Sequence, residues 1–118
     1  MKKFLAMYMG SNDPSNMDQW TNLDEKSRKS KMSDGMTAWS NWAMEHSKSM
    51  IDHGAPLGKT KMINKDGVSD IKNLMAAYTI IQAESHEEAA KLFMNHPHFK
   101  NFPGESVEVM ECLPMPTN

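Results

Sequence analysis

The chain has 118 residues and a mass of 13.4 kDa, enough for one domain and no more. Leu, Ile, Val and Phe supply only 18 residues, a level that points to disorder, but 13 methionines restore the apolar volume of one small core and a formal charge of −2 lacks the self-repulsion of a disordered chain. The near-neutral charge and pI of about 6.2 argue against a nucleic-acid footprint, and the single cysteine excludes an internal disulfide.

The opening Met1–Met9 imitates a signal peptide. Its apolar run is short, however, and Gly10-Ser11-Asn12-Asp13-Pro14 follows with no A-x-A site. No apolar run approaches transmembrane length, so a soluble cytoplasmic protein without membrane or nucleic-acid partners is expected. Residues 2–9 read as a strand with Phe4, Ala6 and Tyr8 on one face and Leu5, Met7 and Met9 on the other. Both faces are apolar, which calls for cover on both sides.

Residues 11–35 read as a polar, partly helical connection. Ser15 and Asp18 give a weak capping box, and Met17, Trp20 and Leu23 one partly buried side. The run Glu25 to Lys31 reads as a solvated helix face or loop, and Gly35 as a break. From Met36 to His53 the period is helical, with Met36, Trp39, Ala43, His46 and Met50 in one stripe. Ser33 or Asp34 can cap this helix, Gly54 stops it and Pro56 forbids continuation.

Leu57 to Ile63 and Val68 to Ile71 flank Asn64-Lys65-Asp66-Gly67, a hairpin signal. Met75 to Ala83 is the strongest strand and again apolar on both faces. Ser85 and Glu88 form a capping box, and the helix it opens carries Ala89, Leu92 and Phe93 and ends before Pro97. Residues 96–104 read as a loop. Val107 to Cys112 reads as a last strand, with Cys112 a small buried residue near its end.

The order strand, helix, hairpin into strand, helix, strand is the β-α-β-β-α-β split βαβ pattern of a ferredoxin-like α+β domain with an antiparallel sheet. Two helices would cover one sheet face. The other, also apolar, predicts a homodimer with its sheet faces packed together. The methionines on strands and on the long helix are expected to line the core and this face.

Gly54-Ala55-Pro56-Leu57-Gly58, Tyr78 to Ser85 followed by Glu87-Glu88-Ala89, His96-Pro97-His98, and Ser106 to Val109 followed by Leu113-Pro114-Met115-Pro116 together resemble YCII-related domain proteins, as does Lys3 to Tyr8. The resemblance spans 2–10 and 36–116 and implies a dimeric α+β barrel. Most members of that family have no assigned reaction. Some resemble cofactor-free enzymes with a His/Asp pair, including a dehydrochlorinase of a chlorinated hydroxyhydroquinone. In those members an acid stands where this chain has His96, and the partner His falls near Thr37. This chain has neither; Asp34 and Trp39 are the nearest distinctive residues.

His96 and His98 are the leading candidate residues. In an extended turn residues i and i+2 project to one side, and imidazole titrates near neutrality. The same pair could instead complement a helix C-terminus, or ligate a metal if a third ligand were placed nearby. His46 lies on the helical stripe, as a core histidine or a base. His53 reads as a helix C-terminal cation. Tyr8, Trp39, Trp42 and Tyr78 read as core or as an aromatic wall for a planar ligand. The expected function is binding of a small organic molecule, aromatic ones included, in a pocket at the sheet or dimer interface. Cofactor-free acid–base chemistry would run through His96, helped by His98, His46 and Tyr8. A non-catalytic binding or regulatory dimer is the alternative, and a His96-x-His98 metal site a third.

Overall fold

The computed structural model describes residues 1–12, 18 and 20–116; the Ser15–Asp18 capping box and Met17 therefore lie outside the described residues. Strand β1 (Lys2–Met9) is followed by helix α1 (Glu25–Glu45), strand β2 (Met50–Pro56), a hairpin of β3 (Thr60–Asn64) and β4 (Gly67–Ile71), strand β5 (Met75–Ala83), the short helices α2 (His86–Lys91) and α3 (Pro97–Lys100), and strand β6 (Ser106–Glu111). The main sheet is antiparallel with the order β2-β5-β1-β6, and β3-β4 form a separate ribbon. This is a ferredoxin-like α+β fold in which the ribbon is an insertion between β2 and β5.

The two-faced strands are as the sequence predicts. Phe4, Ala6 and Tyr8 on β1 and Thr79, Ile81 and Ala83 on β5 are buried on one face. There they meet Trp42 of α1, Ala89 of α2 and Phe93 in one core, with Trp39, Leu92 and Val109 packed at its margin. The opposite face presents Leu5 beside Ile80 and Met110, and Met7 beside Tyr78, in paired registers. No helix among the described residues is long and apolar enough to cross a membrane.

Helix α1 is displaced from its expected position. It starts at Glu25, where the Asp24 side chain caps it by accepting the Ser27 N–H at 2.6 Å, and Glu25 pairs with Lys29 one turn on. Gly35 does not break it. A Cβ there would stand 2.5 Å from Phe102 Cζ, so the glycine is a seat for an aromatic ring inside a continuous helix. The helix ends at His46, not His53.

Residues 50–56 are instead the edge strand β2. The Asp52 side chain accepts the Gly54 N–H at 2.8 Å, and Gly54 at φ +73° makes a bulge that shifts the register against β5. Gly54 is thus a strand glycine, required because a Cβ would run into the Tyr78 backbone. His53 sits on a strand and is no helix cap.

Three further expectations need correction. The 96–104 segment is not all loop: His96 caps α3 and Pro97 occupies its first turn, where a missing N–H costs nothing. The histidine pair therefore opens a helix and does not end one. Cys112 is exposed, because it shares the parity of Met110 on the uncovered face. Among the described residues no methionine is fully buried in the core: Met50 packs at its margin, Met32, Met36, Met44, Met75 and Met110 are exposed, and aromatic rings do most of the packing.

Gly54→Ala tests the bulge. Positive φ and collision with backbone atoms predict a loss of about 2–4 kcal/mol in urea unfolding. A loss under about 0.5 kcal/mol, the ordinary surface value, would contradict it.

Candidate functional site

Pro97 fixes the entry to α3, and this turns both histidines inward. His96 is fully buried and His98 nearly so. The His98 backbone N–H donates to His96 Nδ1 at 2.9 Å, as a helix cap would. That bond fixes the tautomer: the neutral ring carries its proton on Nε2, which faces the Tyr8 hydroxyl at 3.3 Å.

The remaining hydrogens follow by exclusion. With His96 Nε2 already a donor, the Tyr8 hydroxyl has Thr79 Oγ1, 3.1 Å away, as its acceptor. The Thr79 hydroxyl then donates to the His53 carbonyl at 3.3 Å, which can only accept. One directed chain therefore runs from His96 through Tyr8 and Thr79 to the β2 backbone, tying α3, β1, β5 and β2 together.

Burial keeps both histidines uncharged. Desolvation, with the nearby His98 and His46, pulls His96 down to about 3. His98 is lowered by burial too, against the opposing backbone groups of Met9 and Ser106, and its Nε2–H donates to the Met9 carbonyl at 2.8 Å. Burial pushes the Tyr8 hydroxyl up to about 12. Trp39 and Trp42 stand edge-on to His96 with ring centres 4.5 and 4.4 Å away, and Trp39 lies 4.7 Å from Tyr8. The Trp42 indole N–H donates to the Leu92 carbonyl at 3.1 Å.

In front of this cluster lies a cleft of about 490 Å³. Of the sequence candidates, His98, Trp39 and Tyr78 line it. His96, Tyr8 and Trp42 form the buried layer behind, and His46 stacks on Trp42 at the far end of α1, 5.1 Å between centres. Among the described residues the lining contains no Asp, Glu, Lys or Arg, and it includes His53 of β2.

Sequence reasoning did not single out Phe102, Pro56 and Gly104, which complete the walls. Gly104 lies flat on the His98 ring, where any Cβ would strike it, and Phe102 stands against Gly35 and 6.0 Å from Trp39. The available signal was an aromatic residue next to Pro-Gly in an otherwise polar segment. No group of three His, Cys, Asp or Glu among the described residues is placed to hold a metal, and both His96 nitrogens are already engaged. No carboxylate is bonded to His96 or His98 among the hydrogen bonds of the described residues.

The lowered His96 pKa has a definite sign. In the unfolded chain the ring protonates near 6.5; in the folded chain it does so only near 3. Stability should be level above pH 6.5 and fall steadily from there toward pH 3, because only the unfolded state gains the proton. Urea unfolding across this window should show that slope. His96→Asn, whose Oδ1 can replace Nδ1 in accepting the His98 N–H, should reduce it, leaving the smaller part due to His98. An unchanged slope in the variant would refute the assignment.

No family model matches the chain, and no curated protein sequence matches it. Among solved structures it is similar to 5-chloro-2-hydroxyhydroquinone dehydrochlorinase from Burkholderia phenoliruptrix AC1100, in complex with 2,5-dihydroxybenzoquinone. The TM-score is 0.52 at 16% identity, over 92% of this chain and 90% of that one. At that identity the likeness is one of fold: both chains build the same α+β framework.

Proposed function

We propose that this protein is a YCII-related dimer that binds a small, flat, uncharged organic molecule in the cleft between α1, the start of β5 and residues 102–104. The carrying observation is a cleft walled by Trp39 and Phe102, along the Tyr78 backbone, and lined among the described residues by no Asp, Glu, Lys or Arg. Flat apolar walls favour a planar ligand, and a lining without a described carboxylate, lysine or arginine offers little to offset the desolvation of an ion. The molecule held by the similar structure is likewise a flat six-membered ring.

The dimer in this reading is supported on separate grounds. The chain exposes 8608 Å², whereas a compact monomer of this mass exposes about 6,500 Å². The excess, about 2,100 Å², is of the order that each subunit of a permanent dimer buries. The face with Leu5, Met7, Tyr78, Ile80 and Met110 is the apolar surface available for it.

Cofactor-free acid–base chemistry is the second reading. It is favoured by His98, which is uncharged and lines the cleft, with the His96–Tyr8 pair directly behind it. In that reading His98 meets the ligand, and His96 and Tyr8 hold the local hydrogen-bond polarity. His46 is set apart by Trp42. An exposed single thiol at Cys112 suits a reducing, cytoplasmic setting.

Titration with a panel of simple phenols and quinones, 2,5-dihydroxybenzoquinone included, followed by tryptophan fluorescence, should give saturable binding by at least one. Trp39→Ala should weaken that binding roughly ten-fold or more, as loss of a stacking wall does. Saturable binding of none of them, or equal binding by the variant, would defeat the proposal. Binding without conversion of any ligand favours the non-catalytic reading.

A further inference from the structure

The β3–β4 ribbon serves neither the core nor the cleft. Its turn is well made: the Asn64 side chain accepts the Asp66 N–H at 2.9 Å, and Gly67 takes φ +126°. Its root is tied by Asn73 Nδ2 donating to Thr60 Oγ1 at 3.1 Å. Beyond the root it stands away from the body, and every residue of β4 is exposed. Ile63 and Val68 face each other across the ribbon near its tip, 72% and 65% exposed. A two-stranded hairpin is marginal in water unless something packs on it. Two β-branched residues paired one rung below the turn, held in register by it, are an exposed contact surface.

The charges indicate what meets it. Lys61 and Asp70 satisfy each other at 2.6 Å. Around them Lys59, Lys65 and Lys72 face only Asp66 as an opposing charge, so the arm is basic. The far edge of the main sheet is its opposite. Among the described residues β6 is the outermost strand, paired with no strand on its far side, where His86 of α2 bonds the Val109 carbonyl at 2.7 Å; residues 105–111 carry Glu105, Glu108 and Glu111 with no lysine or arginine. The arm leaves from the β2–β5 side of the sheet, away from β6 of its own chain. A basic ribbon on one side and an acidic open edge on the other are complementary only between two molecules. They are used twice in a two-fold pair.

We propose that the β3–β4 arm clasps a second copy of this chain, laying its lysines along the acidic β6 edge and burying Ile63 and Val68 against that copy. The inference rests on the dimer proposed above and adds a second, polar element to its apolar sheet contact. Part of the unusually large exposed surface of the isolated chain then belongs to the arm and the edge it covers.

The test uses the full chain in a dilution series followed by light scattering and sedimentation. Lys59→Glu, Lys65→Glu and Lys72→Glu together should weaken the dimer at least roughly ten-fold, as should Ile63→Ser with Val68→Ser. Glu105→Lys with Glu111→Lys should weaken it similarly, Glu108 being left alone because it stands beside Met7 on the sheet face, and joining this pair to the lysine reversals should restore affinity toward the wild-type value. All five positions and both tip residues lie outside the buried core, and circular dichroism checks that each variant stays folded. Arm variants that dimerise like wild type would overturn the clasp and leave the sheet dimer standing. Failure of the combined reversal to restore affinity would overturn the β6 docking. A wild-type chain that is monomeric at micromolar concentration would overturn dimer and clasp together, while the ligand titration still judges the cleft by itself.

Discussion

The buried Tyr8 hydroxyl is the constraint on which the rest of this small structure depends. It sits on the central strand with no exposed surface, and a hydroxyl in that position must be fully bonded or cost about 1–3 kcal/mol. The bonds come from three other elements: His96 at the start of α3, Thr79 on β5, and through Thr79 the bulged backbone of β2. Two tryptophans from α1 close the ring cluster around it. With so few large aliphatic residues, the chain fixes its layers by directed bonds between aromatic groups, where a larger protein would rely on aliphatic volume. The bulge at Gly54, the proline at 97 and the flat approach of Gly104 to His98 all serve to bring one partner into that network.

This network also sets the chemistry that is available. A histidine held near pKa 3, with both nitrogens engaged, is a poor proton acceptor from a ligand, and it keeps the cleft floor uncharged. The His/Asp pairing expected of catalytic members of the resembling family finds no acid here beside either histidine among the bonds of the described residues. What remains is an apolar slot with a rigid back wall, a site better suited to recognising shape than to attracting charge. The shared framework with a dehydrochlorinase at 16% identity is a statement about how the chain is folded, and the site must be judged on its own side chains.

How much of this was legible depended on whether a residue's meaning was local. Strands β1 and β5 could be read because alternating apolar residues on both faces leave little choice, and the Ser85 cap because its bond closes within four residues. Gly35 and Gly54 were misread for one reason. Each looks like punctuation along the chain, whereas its role comes from a residue far away, Phe102 in one case and Tyr78 in the other. That pair of errors moved the long helix toward the C-terminus and hid β2. His96 and His98 were noticed, but their directions depend on a helix start at Pro97 that no periodicity announces in four residues. The methionines misled in a different way. Their number speaks of core, while their placement is at the surface, where soft thioethers suit contact with something else.

The position of β1 in the sheet has a consequence for how the molecule comes into being. Its first eight structured residues form the strand with a neighbour on each side, and those neighbours are Met75–Ala83 and Ser106–Glu111. The strand at the centre of the sheet therefore closes only through contacts between residues roughly 70 to 100 positions apart. Pairings of such long sequence separation close slowly, and an apolar strand without neighbours is prone to the wrong company. The Phe-Leu-Ala-Met-Tyr-Met run of β1 is thus the segment whose burial waits on the most distant partners.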